Sequence, residues 1–444
     1  MDSLLITNAQ IVNEGVIQVG DVLIRSGRIE KIAAQISADS ANQVLDAQGK
    51  TLLPGMIDGQ VHFREPGMEY KATIAMESRA AVAGGITSFM DMPNTIPNTL
   101  TSDVLEAKYR LAADRSVANY SFYLGASNDN LEAIKSLDPN AACGVKVFMG
   151  ASTGNMLVDN PEILDKIFKY APTLVATHCE DTPTILENEE SYRQIHGDNI
   201  PFALHPLIRS EEACFMSSSF AVGLAKQHGT KLHVLHISTA KEVELFSNAA
   251  LADKQISAEA CAHFLIFSDD DYAEKGSLIK CNPAIKTAED RAGIIQGLME
   301  GRIDTIATDH APHTWEEKQN SYFHAPSGLP LVQYALPALL EHYHDGIFSL
   351  EFIAEKVSHA VADRFQIKER GYIREGYWAD LTLVDLDTPT IARHDQVLSK
   401  CGWTPFDGST FRSSIAATLV NGKLVYADGI LRDVGFGQRL IFER

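Results

Sequence analysis

The fold is decided by residues 55–66, which read GMIDGQVHFREP. A short apolar run there ends in the polar residues His62, Arg64 and Glu65, and a segment with helical spacing of apolar residues follows. The same order recurs seven times, at GITSFMDMPN (85–94), NYSFYLGA (119–126), GVKVFMG (144–150), TLVATHCED (173–181), LHVLHIST (232–239), ISAEACAHF (256–264) and DTIATDHAPH (304–313). Strands that alternate with helices over about 250 residues predict a parallel α/β fold. The count of eight favours a (β/α)8 TIM barrel over a doubly wound sheet.

The two ends of the chain have a different pattern from the middle. Residues 4–12 (LLITNAQIV) and 20–32 alternate as strands do, and so do residues 379–386 and 416–429. Because chain ends commonly lie close together, we expect one small β-sandwich domain formed by both termini. The predicted domains are residues 1–52 and 366–444 for the two parts of the sandwich, and 53–365 for the barrel.

Composition and charge limit the partners. The chain has 444 residues, 45% of them hydrophobic and 22% charged, as in ordinary globular proteins. A formal net charge of −20 opposes binding to nucleic acid or an anionic membrane. We find no apolar run of about 18 residues and no signal-peptide pattern, and the six scattered cysteines read as reduced thiols, so we expect a cytoplasmic protein. An anionic substrate would need local cations to overcome this acidic background.

Polar residues gather at the predicted strand ends. They are His62, Arg64, Asn94, Lys146, His178, His236, Asn282 and Asp309. The carboxyl ends of barrel strands converge on one face, where active sites are built. Buried ionisable groups are costly unless they are paired or bound to a metal, so this set predicts a metal site.

The residue types indicate which metal. Imidazoles and a carboxylate are usual ligands of Zn²⁺. The ammonium of Lys146 would repel a cation, which leaves two interpretations: an ion-pair partner, or an amine carboxylated by CO₂. The resulting carbamate has two oxygens that could bridge two cations about 3.5–4 Å apart.

Seven motifs together resemble the amidohydrolase superfamily, and more narrowly its long-chain dihydroorotase group, with hydantoinases and allantoinases as close relatives. They are DGQVHFREPG (58–67), GGITSFMDMPNT (84–95), GVKVFMG (144–150), ATHCED (176–181), LHVLHIST (232–239), CNPAIK (281–286) and ATDHAPH (307–313). The resemblance runs from about Leu53 to Glu341. HFREPG, MPN and TDHAPH are specific in combination, whereas any one alone would be weak.

The resemblance implies a function and a role for each matching residue. The reaction is the reversible hydrolysis of (S)-dihydroorotate to N-carbamoyl-L-aspartate in de novo pyrimidine (UMP) biosynthesis, with hydroxide held by Zn²⁺ as nucleophile and Asp309 as general acid and base. The implied metal ligands are His62, carboxylated Lys146, His178, His236 and Asp309. The implied substrate-binding residues are Arg64, Asn94, Asn282, His313, Pro326 and Ser327.

Arg64 also fits the role on its own chemistry. A planar guanidinium suits bidentate recognition of a carboxylate, and it supplies the local cation that the acidic chain requires. The alternative is a surface ion pair with Glu65 or Glu69. Asn94 could likewise be a turn residue, and His313 a packing residue of its loop.

Gln60 departs from the family pattern. The first histidine of the family's His-x-His should stand there, and Gln60 faces the same way as His62 because strand side chains alternate. An amide oxygen is a poorer zinc ligand than imidazole. We therefore predict one firmly bound Zn²⁺ and a second that is weak or absent.

Two alternative functions stay open. One is a hydantoinase or allantoinase, although these substrates lack the carboxylate that Arg64 and His313 would bind. The other is a catalytically silent dihydroorotase-like subunit that scaffolds aspartate carbamoyltransferase, because such subunits lack metal ligands. Besides the small-molecule substrate, the partners to test are aspartate carbamoyltransferase and further copies of the chain in a homo-oligomer.

Overall fold

The middle of the chain forms a closed barrel of parallel strands. The computed structural model describes residues 3–150, 156–432 and 435–444. In chain order, barrel strands one to eight are Met56–Val61, Ile86–Asp91, Asn119–Phe122, Val145–Phe148, Val175–His178, Leu232–Val234, Ile256–Cys261 and Thr305–Ala307. The short strand Leu124–Gly125 continues strand three beside strand four, and His62 N donates to His310 O at 2.7 Å where strand eight meets strand one. The predicted TIM barrel is confirmed.

Helices surround the barrel. They are Ile74–Ala83, Ser102–Ala113, Leu131–Lys135, Pro161–Tyr170, Thr182–His196, His205–Ile208, Glu211–His228, Ala240–Val243, Ala262–Ile266, Tyr272–Lys275, Ala288–Met299, Trp315–Lys318, Ala335–His344, Leu350–Ala354 and Ala360–Phe365. Side-chain caps fix where several begin: Thr73 accepts from Met76 N, and Asp181 accepts from Thr184 N. Thr182–His196 therefore starts just after strand five, and its entry loop remains at the carboxyl face of the barrel.

Both chain ends build a second unit. Its nine-stranded sheet comprises Ser3–Asn13, Val16–Arg25, Arg28–Ala33, Gln43–Asp46, Thr51–Pro54, Leu381–Asp385, Ser414–Val420, Lys423–Ala427 and Ile430–Leu431. Thr51–Pro54 joins the two termini, since it pairs parallel with Ser3–Asn13 and antiparallel with Leu381–Asp385. Apolar side chains of both ends share one core, for example Ile6 and Leu419. The predicted terminal β-sandwich is confirmed.

Two C-terminal segments leave this sheet for the barrel. Residues 386–413, with the paired strands Thr390–Ile391 and Thr410–Phe411, bring Trp403 Nε1 to 2.7 Å from His313 O, to which it donates. At the opposite face, the guanidinium of Arg444 donates to the carbonyls of Ala142 and Phe365. In the part of the chain that the structure describes, no helix is long and apolar enough to cross a membrane.

Candidate active site

A cavity of about 40 Å³ lies at the carboxyl ends of the strands. Its lining includes most of the residues that the sequence predicts for the site: Gln60, His62, Arg64, Lys146, His178, His236, Asn282, Asp309 and Ser327. Phe148, Ala311 and Gly328 complete the wall. Three predicted residues stand behind it, because Asn94 contacts His62, His313 contacts Arg64, and the Pro326 carbonyl accepts from Lys318 Nζ.

The backbone at the site is unusual. Arg64, His236 and Asp309 have φ of 67°, 41° and 51°, the left-handed region that side chains other than glycine seldom adopt. Each follows the end of a barrel strand by two or three residues. Such conformations cost of order 1–3 kcal/mol each and persist where the surroundings hold them, which is typical of functional sites.

His178 and His236 form the first pair of candidate ligands. His178 Nδ1 lies 3.0 Å from His236 Nε2, and both rings are buried. Burial lowers the pKa of both imidazoles, so they are neutral, which is the form that binds metals. Glu180 Oε2 is 3.0 Å from His178 Nε2 and favours a proton on that nitrogen, so the Nδ1 lone pair faces His236.

His62 and Asp309 form the second pair. His62 Nε2 is 3.2 Å from Asp309 Oδ1, and His62 Nδ1 is 2.9 Å from the amide oxygen of Asn94. That oxygen can only accept, so Nδ1 carries a proton, and Nε2 faces the carboxylate, to which it donates when the ring is doubly protonated. Burial alone would raise the pKa of Asp309, but hydrogen bonding and charge from His62 hold it below its usual value.

Gln60 presents its amide N–H, and not its oxygen, to this second pair. Its Nε2 donates to Asp309 Oδ1 at 2.9 Å, the same oxygen that His62 approaches. Its Oε1 is buried and has no hydrogen-bond partner among the described residues. An N–H donor competes with a cation for the carboxylate oxygen, so the second pair is the less suited to a metal.

Lys146 is buried and lines the same cavity as the two pairs. No hydrogen-bond or ion-pair partner lies at its Nζ among the described residues, and the ring of Phe148 is 4.6 Å away. Burial lowers the pKa of Lys146 to about 8. An amine with this pKa is partly neutral near physiological pH and can react as a nucleophile.

The donor set fits a divalent cation. Two ligands of one tetrahedral zinc ion lie about 3.3–3.6 Å apart, given bonds of roughly 2.0–2.2 Å. The separations within the His178–His236 and His62–Asp309 pairs, 3.0 and 3.2 Å, are a few tenths of an ångström shorter, a difference that small side-chain shifts can supply. Among the described residues no three His, Cys, Asp or Glu side chains converge on one point, so each pair needs a further ligand. Lys146 lines the same cavity, and an anionic form of this residue is a candidate for that ligand.

A buried cation without an acidic partner marks the wall beside the second pair. Arg64 is only 5% exposed, and no carboxylate among the described residues pairs with it. Its Nε donates to Pro312 O at 3.1 Å, and its Nη2 is 3.0 Å from His313 Nε2. Burial lowers the pKa of Arg64 to about 10, well above neutral pH, so it stays charged. An unpaired buried guanidinium is a site for an anionic ligand.

The lining of the cavity also offers an unused acceptor. Asn282 Oδ1 is shielded from solvent and has no partner among the described residues. Ser327, on the loop Ala325–Gly328, lines the cavity as well. The loop is tightly held: Lys318 Nζ donates to the carbonyls of Pro326 and Gly328, and Lys280 Nζ donates to Ala325 O.

The sequence did not predict the residues that support the site. Glu180 has a weak signal, since it follows His178 by two residues in ATHCED. Lys71, Lys280 and Lys318 have none, because they lie in loops or short helices that reach the site only through tertiary folding.

The chain matches known proteins over most of its length. A sequence model of the amidohydrolase family matches residues 51–425. A dihydroorotase of Halobacterium salinarum is 34% identical over 418 residues, 92% of this chain and 96% of that protein. An allantoinase of Desulfitobacterium hafniense is 31% identical over 449 residues, 98% of each chain. The structure of an L-hydantoinase (dihydropyrimidinase) from Arthrobacter aurescens superposes with a TM-score of 0.94 at 28% identity, covering 99% of this chain and 100% of that one.

The chain therefore belongs to the amidohydrolase family, and the predicted family membership is confirmed. Its relatives carry the names of enzymes that act on different rings. The choice among them depends on the walls of the cavity.

Proposed function

We propose that this protein is a dihydroorotase, a cytoplasmic cyclic amidohydrolase of pyrimidine biosynthesis. It interconverts (S)-dihydroorotate and water with N-carbamoyl-L-aspartate by breaking one amide bond of the six-membered ring.

The unpaired guanidinium of Arg64 is the observation that carries the proposal. A ring carboxylate placed against Arg64 would complete a charge-assisted pair, and His313 would add a second donor. Hydantoin and allantoin have no ring carboxylate and would leave Arg64 without a counter-ion. Asn282 Oδ1, an unused acceptor in the lining of the same cavity, suits an N–H of the ring.

We further propose Zn²⁺ held by Lys146, His178 and His236, with Lys146 as a carbamate. Carboxylation converts the ammonium of Lys146, which would repel the metal, into an anion that can bind it. The lowered pKa of Lys146 makes its amine reactive toward CO₂. When bound, the cation polarises a carbonyl and lowers the pKa of water.

Asp309 then handles the proton. Its carboxylate is ionised and fixed by Gln60 and His62, so it can accept a proton from the attacking water. It returns that proton to the ring nitrogen as the amide bond breaks. In the direction of ring closure the same transfers run in reverse.

The test is a direct assay of ring opening and closure with and without added Zn²⁺. We expect zinc-dependent release of N-carbamoyl-L-aspartate from dihydroorotate and the reverse reaction from the product. Asp309→Asn, which keeps the shape but cannot accept a proton, should lose almost all activity. If zinc-loaded protein neither opens dihydroorotate nor closes N-carbamoyl-L-aspartate, the proposal is overturned and a scaffolding subunit is favoured.

One observation favours a second candidate. The structural match to an L-hydantoinase is close, at a TM-score of 0.94. Hydantoin and allantoin therefore belong in the same assay, and faster opening of either would reassign the substrate while leaving the reaction class in place.

A further inference from the structure

Lys71 lies behind the proposed carboxylate-binding residues. It is 9% exposed and stands in the segment between strand one and the helix Ile74–Ala83. Its Nζ is 2.9 Å from His313 Nδ1 and 3.0 Å from Glu317 Oε1. Glu317 is itself fixed, because its other oxygen accepts from Thr314 N in a capping box.

This contact decides which nitrogen of His313 carries the proton. An ammonium has three donors and no acceptor, so the nitrogen facing Lys71 must accept. A neutral imidazole has a single N–H, which therefore lies on Nε2. Double protonation is opposed, because burial and the charges of Arg64 and Lys71 hold the pKa of His313 well below its usual value.

The chosen tautomer leaves two donors side by side. With this tautomer His313 Nε2–H donates to Ser327 O at 3.0 Å, and Arg64 Nη2, 3.0 Å from the same nitrogen, finds no acceptor there. A carboxylate beside them would accept from Arg64 and would share with Ser327 O, or take over, the N–H of His313. With the opposite tautomer, the Nε2 lone pair would accept from Arg64 directly and would repel an incoming carboxylate.

We propose that Lys71 is a positioning residue that fixes His313 as a donor and thereby sets the preference for rings that bear a carboxylate. The proposal rests on the proposed function, in which Arg64 and His313 bind that carboxylate. It assigns Lys71 no contact with the substrate.

The first test separates carboxylate recognition from folding. Lys71→Met removes the donor at similar length, and Lys71→Arg restores a donor that cannot accept. For Lys71→Met we expect the KM for dihydroorotate to rise about tenfold or more, as for the loss of a charge-assisted hydrogen bond, with a smaller change in kcat. The inhibition constant of dihydrouracil, the same ring without a carboxylate, should change little. Lys71→Arg should recover most of the lost affinity.

The second test observes the tautomer itself. In protein labelled with ¹⁵N-histidine, His313 should give the Nε2–H signature, and Lys71→Met should shift it toward the Nδ1–H form. Lys241→Met, at a surface lysine paired with Glu212, is the matched control and should change neither readout.

Two results would overturn the inference. One is that Lys71→Met weakens the binding of dihydroorotate and of dihydrouracil equally, which would indicate a structural role alone. The other is an unchanged His313 tautomer. Failure of the proposed function looks different, because the unmodified protein would then not turn over dihydroorotate whatever the tautomer of His313.

Discussion

The two pairs of candidate metal ligands have the same spacing but different surroundings. His178 and His236 lie beside Glu180, which favours the proton on the nitrogen that faces away from His236. His62 and Asp309 share their contact with Gln60, whose N–H points at the carboxylate oxygen. Among the described residues no third side chain donates to the facing nitrogens of the first pair, whereas the carboxylate of the second pair already accepts a hydrogen bond from Gln60.

This difference shows that ligand spacing alone does not define a metal position. Both separations are near 3 Å, yet only the second pair has an amide N–H directed at its carboxylate oxygen. At the second pair, the hydrogen bond from Gln60 orients Asp309, which is useful for proton transfer. We infer that the first pair holds the cation and the second mainly handles the proton.

The largest effect should come from removing Lys146, which lines the cavity together with both pairs. Lys146→Ala should abolish measurable activity and the firmly held metal, because neither pair alone supplies enough ligands. Metal content by mass spectrometry and ring-opening rate are the readouts, and short carboxylic acids added to the variant should restore part of both. A Lys146→Ala protein that keeps its metal would show that Lys146 is no ligand.

Breaking one pair at a time should give unequal results. His178→Ala should lose the bound metal and the activity together, since it removes a ligand of the first pair. His62→Ala should keep about one metal per chain while it loses activity, typically about 10²-fold or more when a partner of the proton-transferring group is removed. Equal loss of metal in the two variants would remove the distinction between the pairs.

Gln60→His should make the pairs more alike. An imidazole in place of the amide removes the competing N–H and adds a ligand beside His62 and Asp309. We expect bound zinc to rise from about one toward two per chain after dialysis against chelator. Two equally tight ions in the unmodified protein would show that Gln60 is no handicap.

The sequence predicted much of this arrangement, for a physical reason. Lys146, His178, His236 and Asp309 follow apolar runs at regular intervals, and parallel strands must bring such positions to one face. The orientation of the Gln60 amide and the contact between Lys71 and His313 could not be predicted. They depend on which side chains meet across residues far apart in sequence, and no local pattern encodes that.

A smaller effect concerns pH. Burial lowers the pKa of Lys146 to about 8. The fraction of Lys146 in the neutral amine form therefore increases as the pH rises to about 8 and levels off above it. In metal-free protein at constant dissolved CO₂, the rate of zinc uptake should rise about tenfold from pH 6 to 7 and flatten above roughly pH 8. A rate that keeps rising to pH 10 would indicate an ordinary lysine.

The most direct test of the account is the preference of the zinc-loaded protein for dihydroorotate over hydantoin, measured as a ratio of kcat/KM before and after Arg64→Met. We predict that dihydroorotate is preferred in the unmodified protein. Arg64→Met should raise the activation free energy that corresponds to kcat/KM for dihydroorotate by about 2–5 kcal/mol, as expected when a buried charge loses its partner. The metal content and the rate of hydantoin opening should stay unchanged. Faster opening of hydantoin by the unmodified protein, or an Arg64→Met variant with normal turnover of dihydroorotate, would contradict it.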